Sequence, residues 1–257
     1  MSDTALLTRQ VGYEQRTFWR NPAAAVFTIA FPVVFLVVFG SLNRDAMPTV
    51  GGRKIAYDDY YVPALAAYGL MTACFTNLAM TLAIRRDAGL LKRMRGTPLP
   101  TWAFISGLII SALIISVILV VFTIVFGMVV YGVQAPHHPA AVALVFVVGA
   151  VTFCALGMAI SAVIPNADAA PAIVNLPLFI LLFISGTFFP IDPRSVLARI
   201  ADYFPVRHFI TGAFTAFDPA QTSSTGVDGI DLLVMLAWAA GALFVVARRF
   251  RWEPRRS

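Results

Sequence analysis

The sequence predicts an all-α membrane protein with six transmembrane helices, and composition, run length and charge placement carry that prediction. Only 12% of the 257 residues are charged and 59% are hydrophobic, whereas soluble domains carry about 25% charged residues. Mean hydropathy is +0.81. Six long apolar runs, at 24–42, 60–84, 102–131, 140–164, 171–189 and 230–247, contain no Lys, Arg or Glu, and their one Asp is Asp231 at the start of the last. A helix needs ~20 apolar residues to cross the hydrocarbon core. Barrel strands would alternate polar and apolar residues over ~10 positions, and these runs do not alternate.

The elements follow in chain order. Residues 4–20 are partly amphipathic: Leu7, Val11, Phe18 and Trp19 suit a bilayer surface, and Arg9, Glu14, Arg16 and Arg20 suit water. This predicts an interfacial helix, interrupted at Asn21-Pro22. The first run is too long for a signal-peptide core and no small-residue cleavage pattern follows it, so it is expected to be retained. Phe27, Phe31, Phe35 and Phe39 recur every fourth residue and form one helical stripe suited to packing. The loop 43–59 balances three charges of each sign, and Tyr57, Tyr60 and Tyr61 suit an aromatic belt. Arg85, Arg86, Lys92, Arg93 and Arg95 crowd into eleven residues of the loop 85–100, and the next charged residue is Asp168.

The fourth run holds Gly157 and Ser161, a small-xxx-small pair that lets another helix approach. Asp168 is expected to cap the fifth helix, with Pro171 in its first turn. Between the fifth and sixth runs, residues 190–229 predict two short amphipathic helices packed on, or dipping into, the outer face. One carries Val196, Leu197, Ile200 and Phe204, the other Phe209, Ile210, Ala213, Phe214 and Phe217; residues 220–229 form a connector. The basic tail 248–257 completes a single domain. With the amino terminus inside, segments 1–23, 85–101, 165–170 and 248–257 hold 13 Lys and Arg and the outer segments hold 6. Cytoplasmic loops favour these residues, so both termini are expected to be cytoplasmic, in an inner or plasma membrane.

The net charge of +6 gathers beside the spans, which argues for lipid rather than nucleic acid as partner. No GxxxxGK[ST] loop occurs and no Lys follows a Gly, so the chain is expected to bind no nucleotide by the usual route. His137, His138 and His208 lack metal-ligand spacing. Cys74 and Cys154 fall within apolar runs and read as packing residues. No ionisable relay runs through the spans, as proton-coupled transporters usually have. Asn77 and Asn175 do lie within them, and each reads either as an interhelical hydrogen bond or as a polar foothold in a substrate path. The chain therefore spans a membrane without an energy source of its own.

The stretch RRDAGLLKRMRGTPLPTW resembles the loop between spans two and three of ABC-2 type transporter permeases, through Arg86, Gly89, Leu90, Lys92, Arg93, Thr97, Pro98 and Leu99. FISGTFFPIDP and FPVRHFITGAF resemble the family's second hallmark, through Ser185, Gly186, Phe188, Phe189, Pro190, Pro193, Pro205 and His208. Pro63-Ala64 stands where the family often has Pro-Gly. The resemblance covers essentially the whole chain and is nearest to drug-resistance permeases.

It implies an elbow helix over 1–23, a coupling helix in 85–100 and re-entrant helices over 190–229. It also implies a second permease, in a homo- or heterodimer, and a separate P-loop ATPase that binds ATP and Mg; this chain itself would be non-catalytic and bind no cofactor. Arg86, Asp87, Gly89, Leu90, Leu91, Lys92, Arg93 and Met94 become the expected ATPase contacts. Among them Leu90, Leu91 and Met94 form an apolar knob, and the cations, Arg85 and Arg86 included, sit nearer the headgroups. Asn77, Asn175, Phe179 and Phe183 become the expected path, closed outside by Phe188 and Phe189. The implied function is export of a hydrophobic or amphipathic compound, as in antibiotic efflux. Export of a lipid-linked glycan or glycolipid, a secondary transporter or channel without an ATPase, and a membrane scaffold are the alternatives.

Overall fold

The computed structural model describes residues 3–43, 47, 49–50, 53–96, 100–188, 191, 195–217 and 226–249, and the side chains of all of these but 23, 24, 27, 49, 50, 53, 54, 94, 95 and 249. The helices are α1 Asp3–Trp19, α2 Pro22–Leu42, α3 Tyr57–Asp87, α4 Leu90–Arg95, α5 Thr101–Tyr131, α6 Pro139–Ser161, α7 Ala170–Ile184, α8 Val196–Ala201, α9 Pro205–Phe217 and α10 Gly229–Arg249. An antiparallel ribbon of Thr49–Val50 with Arg53–Lys54 is the one sheet among the described residues. Helices α3, α5, α6 and α10 are long and apolar enough to cross a membrane; Thr28–Leu42 within α2, and α7, are shorter apolar helices.

Helix α3 is the axis of the bundle. In its most apolar stretch 72% of residues are buried, against 22% for α10, and it packs on α2, α5, α6, α7 and α9. Small residues make this possible: Ala64, Ala66, Ala67, Ala73, Ala79 and Ala83 are all buried and let neighbouring backbones come close. Midway, Thr72–Asn77 widens into a π turn, a feature that inserts a residue and turns its carbonyls aside. Gly157 of α6 lies against that turn. A Cβ there would stand 2.9 Å from the Phe75 carbonyl oxygen and 3.0 Å from that of Cys74. Backbone cannot yield as a side-chain tip can. Gly157→Val is therefore expected to cost about 1–3 kcal/mol by overpacking, read as a lower unfolding midpoint in detergent; an unchanged midpoint would show that the two helices part freely.

Helix α9 is wedged between α3, α6 and α10. Phe209 fills the space left by Gly149, which lies ten residues, or about 15 Å, along α6. The turn between α8 and α9 reaches equally far along α10. There Trp238 Nε1, nine residues or about 13 Å from the helix start, donates to the Tyr203 carbonyl at 2.9 Å.

Several details differ from the sequence expectation: α3 runs over 57–87 rather than 60–84, and α6 ends at Ser161 rather than at 164. Helix α7 ends at Ile184, short of residue 189, because Gly186 takes a left-handed φ of 86° and the chain turns back. Two hydroxyls of α3 hold the turn: Tyr57 donates to the Phe188 carbonyl at 2.9 Å, and Tyr60 to that of Gly186. Asp168 does not cap α7. Asn166 Oδ1 accepts from the Ala169 N–H at 2.9 Å, because the bend at 166–169 brings that earlier side chain over the free N–H. Pro190, Pro193, Thr97, Pro98 and Leu99 lie outside the described residues.

Candidate coupling corner and transport path

The corner between α3 and α4 turns at Gly89, whose φ of 68° favours a residue without Cβ. Three side chains fasten this corner to the rest of the fold. Arg86, only 3% exposed, donates to the Ser161 carbonyl at 2.7 Å and to that of Ile164, holding the end of α6. Asp87 Oδ2 accepts from the Ala167 N–H at 2.9 Å, holding the turn before α7. Arg85 makes a two-pronged ion pair with Glu14 of α1, at 2.8 and 2.6 Å; Gln10 also donates to Glu14 at 2.8 Å.

These contacts correct three sequence expectations. Glu14 does not face water: its side chain is 4% exposed. Arg85 and Arg86 are not headgroup anchors, because carbonyls and a carboxylate inside the protein satisfy them. Leu91 is no part of an outward knob, being fully buried against the core, while Leu90 is 43% exposed. Lys92 and Arg93 are exposed too; the side chain of Met94 lies outside the described ones. Among the described side chains of α4, those that remain open are Leu90, Lys92 and Arg93.

The sequence did carry a signal for two of these burials. Leu7, Val11, Glu14 and Phe18 share one face of α1 at helical spacing, so the carboxylate sits on the apolar stripe. Arg86 likewise continues the buried stripe of Ala79 and Leu82.

Next to the Glu14–Arg85 pair, α1, α3 and α5 enclose a cavity of about 210 Å³, whose polar lining includes Thr17, Asn21, Asn77, Thr81 and Ser111. Gln15 reaches across and donates to Ser111 Oγ at 2.9 Å. Asn77 Nδ2 is buried and has no hydrogen-bond partner among the described residues. Asn175 is elsewhere, half-buried on α7, which does not line this cavity. The two amides expected to share a path are therefore not brought together within one chain. Phe179 and Phe183 point outward from α7. Phe188 is buried, its ring 5.0 Å from that of Phe183 and 5.6 Å from that of Phe35. Phe189 lies outside the described residues.

His208 does not stand alone, as its sequence setting implied. Nδ1 lies 2.6 Å from Asp231 Oδ1 and Nε2 lies 2.7 Å from the Asp202 carbonyl. Both partners only accept, so the imidazolium is the form that satisfies both, and the bond to Asp231 raises the His208 pKa against the opposing effect of burial. Local spacing could not reveal a pair 23 residues apart. A raised folded-state pKa stabilises below the unfolded value of ~6.5, and that stability is lost as pH rises through the folded value. Unfolding midpoints from about pH 6 to pH 9 should fall more steeply for the wild type than for His208→Gln; parallel curves would refute the pairing.

Among the described residues no three His, Cys, Asp or Glu side chains cluster as metal ligands. Residues 6–217 match the model of a protein family described as "ABC-2 type transporter". The chain belongs to the ABC-2 type transporter family. A curated relative in Bacillus subtilis (strain 168), named "Putative transport permease YvfS", is 22% identical over 211 residues, covering 81% of this chain and 84% of the relative. Membership places the chain among multi-pass membrane permeases. In this ABC-2 chain the coupling corner and the path residues are the candidate functional elements.

Proposed function

We propose that this chain is the membrane-spanning subunit of an ATP-driven exporter, with six spans and both termini cytoplasmic, that it pairs with a second permease, and that a separate P-loop ATPase drives it. The chain itself binds no ATP or Mg. The observation that carries this reading is the fastened corner. Helix α4 offers Leu90, Lys92 and Arg93 outward, while Arg85, Arg86 and Asp87 tie the same corner to α1, α6 and the start of α7. A displacement of α4 is thereby passed to the bundle axis and to three neighbours at once. In this reading α1 is the elbow helix, α4 the coupling helix, and α8–α9 the re-entrant pair. The depth that the α8–α9 turn reaches along α10 supports the last of these.

The path forms between two copies. Leu176, Phe179, Ile180 and Phe183 make an exposed apolar stripe along α7, and Asn175 lies half-buried beside it. A second permease set against this stripe would turn it into a wall suited to a hydrophobic or amphipathic cargo, with Phe188 at the outer end. Charge along that wall would be unfavourable, which fits a drug-like or lipid-like compound. The test is reconstitution of the chain with its copurifying ATPase, followed by ATP-dependent transport of an uncharged fluorescent amphipathic dye. Transport that needs ATP and is weakened by Phe183→Asp supports the reading; equal transport without the ATPase would overturn it.

A further inference from the structure

A second apolar space lies away from the stripe just described. Helices α6, α7 and α10, with Phe75 of α3 and Phe204–Val206 at the start of α9, border an open groove of about 690 Å³, and every residue lining it is apolar. Ile160 forms one wall, Leu178 and Leu181 a second, and Trp238, Gly241 and Val245 the third. Gly241 opens the groove: a Cβ there would meet nothing within 4 Å. Trp238 turns its one donor away to the Tyr203 carbonyl, leaving the ring as an apolar surface. Nothing in the lining can hydrogen-bond a polar solute, so water and polar cargo are poor occupants.

At the end lined by Phe204, Pro205 and Val206, the adjoining charges Arg207 and Asp202 form an ion pair at 2.5 Å; the other end leads to Arg248. Gly241, Val245 and Arg248 fall on one face of α10 at spacings of four and three residues. Arg248 is exposed, with its guanidinium over the Phe244 ring at 5.2 Å. An apolar slot ending at a cation matches a molecule with a long hydrocarbon tail and a negative head.

We propose that this groove is a binding site for one anionic phospholipid from the leaflet on the side of the carboxy terminus. Its acyl chain lies along Val245, Gly241 and Trp238, and its phosphate sits by Arg248. The site holds a resident lipid and is separate from the α7 stripe. One such cation near an anionic surface contributes about a five-fold preference.

Trp238 reports on the site. The full-length chain, with Trp19, Trp102 and Trp252 replaced by Phe, is placed in nanodiscs of phosphatidylcholine doped with brominated phosphatidylglycerol or brominated phosphatidylcholine. Brominated phosphatidylglycerol is expected to reach half-quenching at a mole fraction about five times lower. Arg248→Gln should remove that difference, and Gly241→Leu should weaken quenching by both lipids while leaving the unfolding midpoint near that of the parent. Identical curves for the two lipids, or a difference that survives Arg248→Gln, would overturn the proposal. So would a Trp238 that neither lipid quenches, the result expected if a second copy of the chain covers the groove.

Discussion

Glu14→Ala is expected to destabilise the protein by about 3–5 kcal/mol, the cost of leaving one partner of a buried ion pair alone. The charge left behind is Arg85, whose side chain is 14% exposed, near the carboxy-terminal end of the helix that forms the bundle axis. Glu14→Leu combined with Arg85→Leu should recover most of the loss, since apolar side chains of similar size often replace a buried pair at little cost. Unfolding midpoints of the two variants in detergent check this. Wild-type stability in Glu14→Ala, or a double variant worse than the single one, would show that α1 is not fastened to the coupling corner.

Leu91→Asp and Leu90→Asp, one residue apart, are expected to fail in different ways. Leu91 is fully buried, so an aspartate there forfeits about 1.5–3 kcal/mol of apolar burial and adds the larger cost of an unpaired buried carboxylate. Little folded protein should reach the membrane. Leu90 is 43% exposed, so Leu90→Asp should insert and fold normally yet lose ATPase stimulation and export. Membrane level by immunoblot and ATP hydrolysis by the purified complex separate the two. If Leu90→Asp exports normally, α4 is not the coupling element.

The all-helical class and the apolar helices were legible because membrane segments announce themselves by composition. A run of 20 uncharged residues has few other meanings in water. Boundaries set by long-range bonds were less legible. The end of α7 depends on Gly186, a local glycine stop that the continuing apolar run masked, and on two tyrosine hydroxyls of α3 that no local pattern reveals. The corner was legible as a basic cluster but not as a sorted one. Arg85 and Arg86 look like Lys92 and Arg93 in sequence, and only the partners on α1 and α6 separate the buried pair from the exposed pair. Glu14 was readable in principle, being the acid on an apolar helical stripe. Asn77 and Asn175 look alike in sequence, and the fold separates them: Asn77 lines the cavity between α1, α3 and α5, and Asn175 lies half-buried on α7.

In the proposed function a separate ATPase docks on α4. The most direct test of that docking is photo-cross-linking in cells of the full-length chain, with a benzophenone amino acid at position 90, compared with the same label at Leu197 on α8. The expected result is an adduct from position 90 whose partner, identified by mass spectrometry, carries a GxxxxGK[ST] loop, and no such adduct from position 197. Only lipid adducts from position 90, or the same protein partner from both positions, would contradict it.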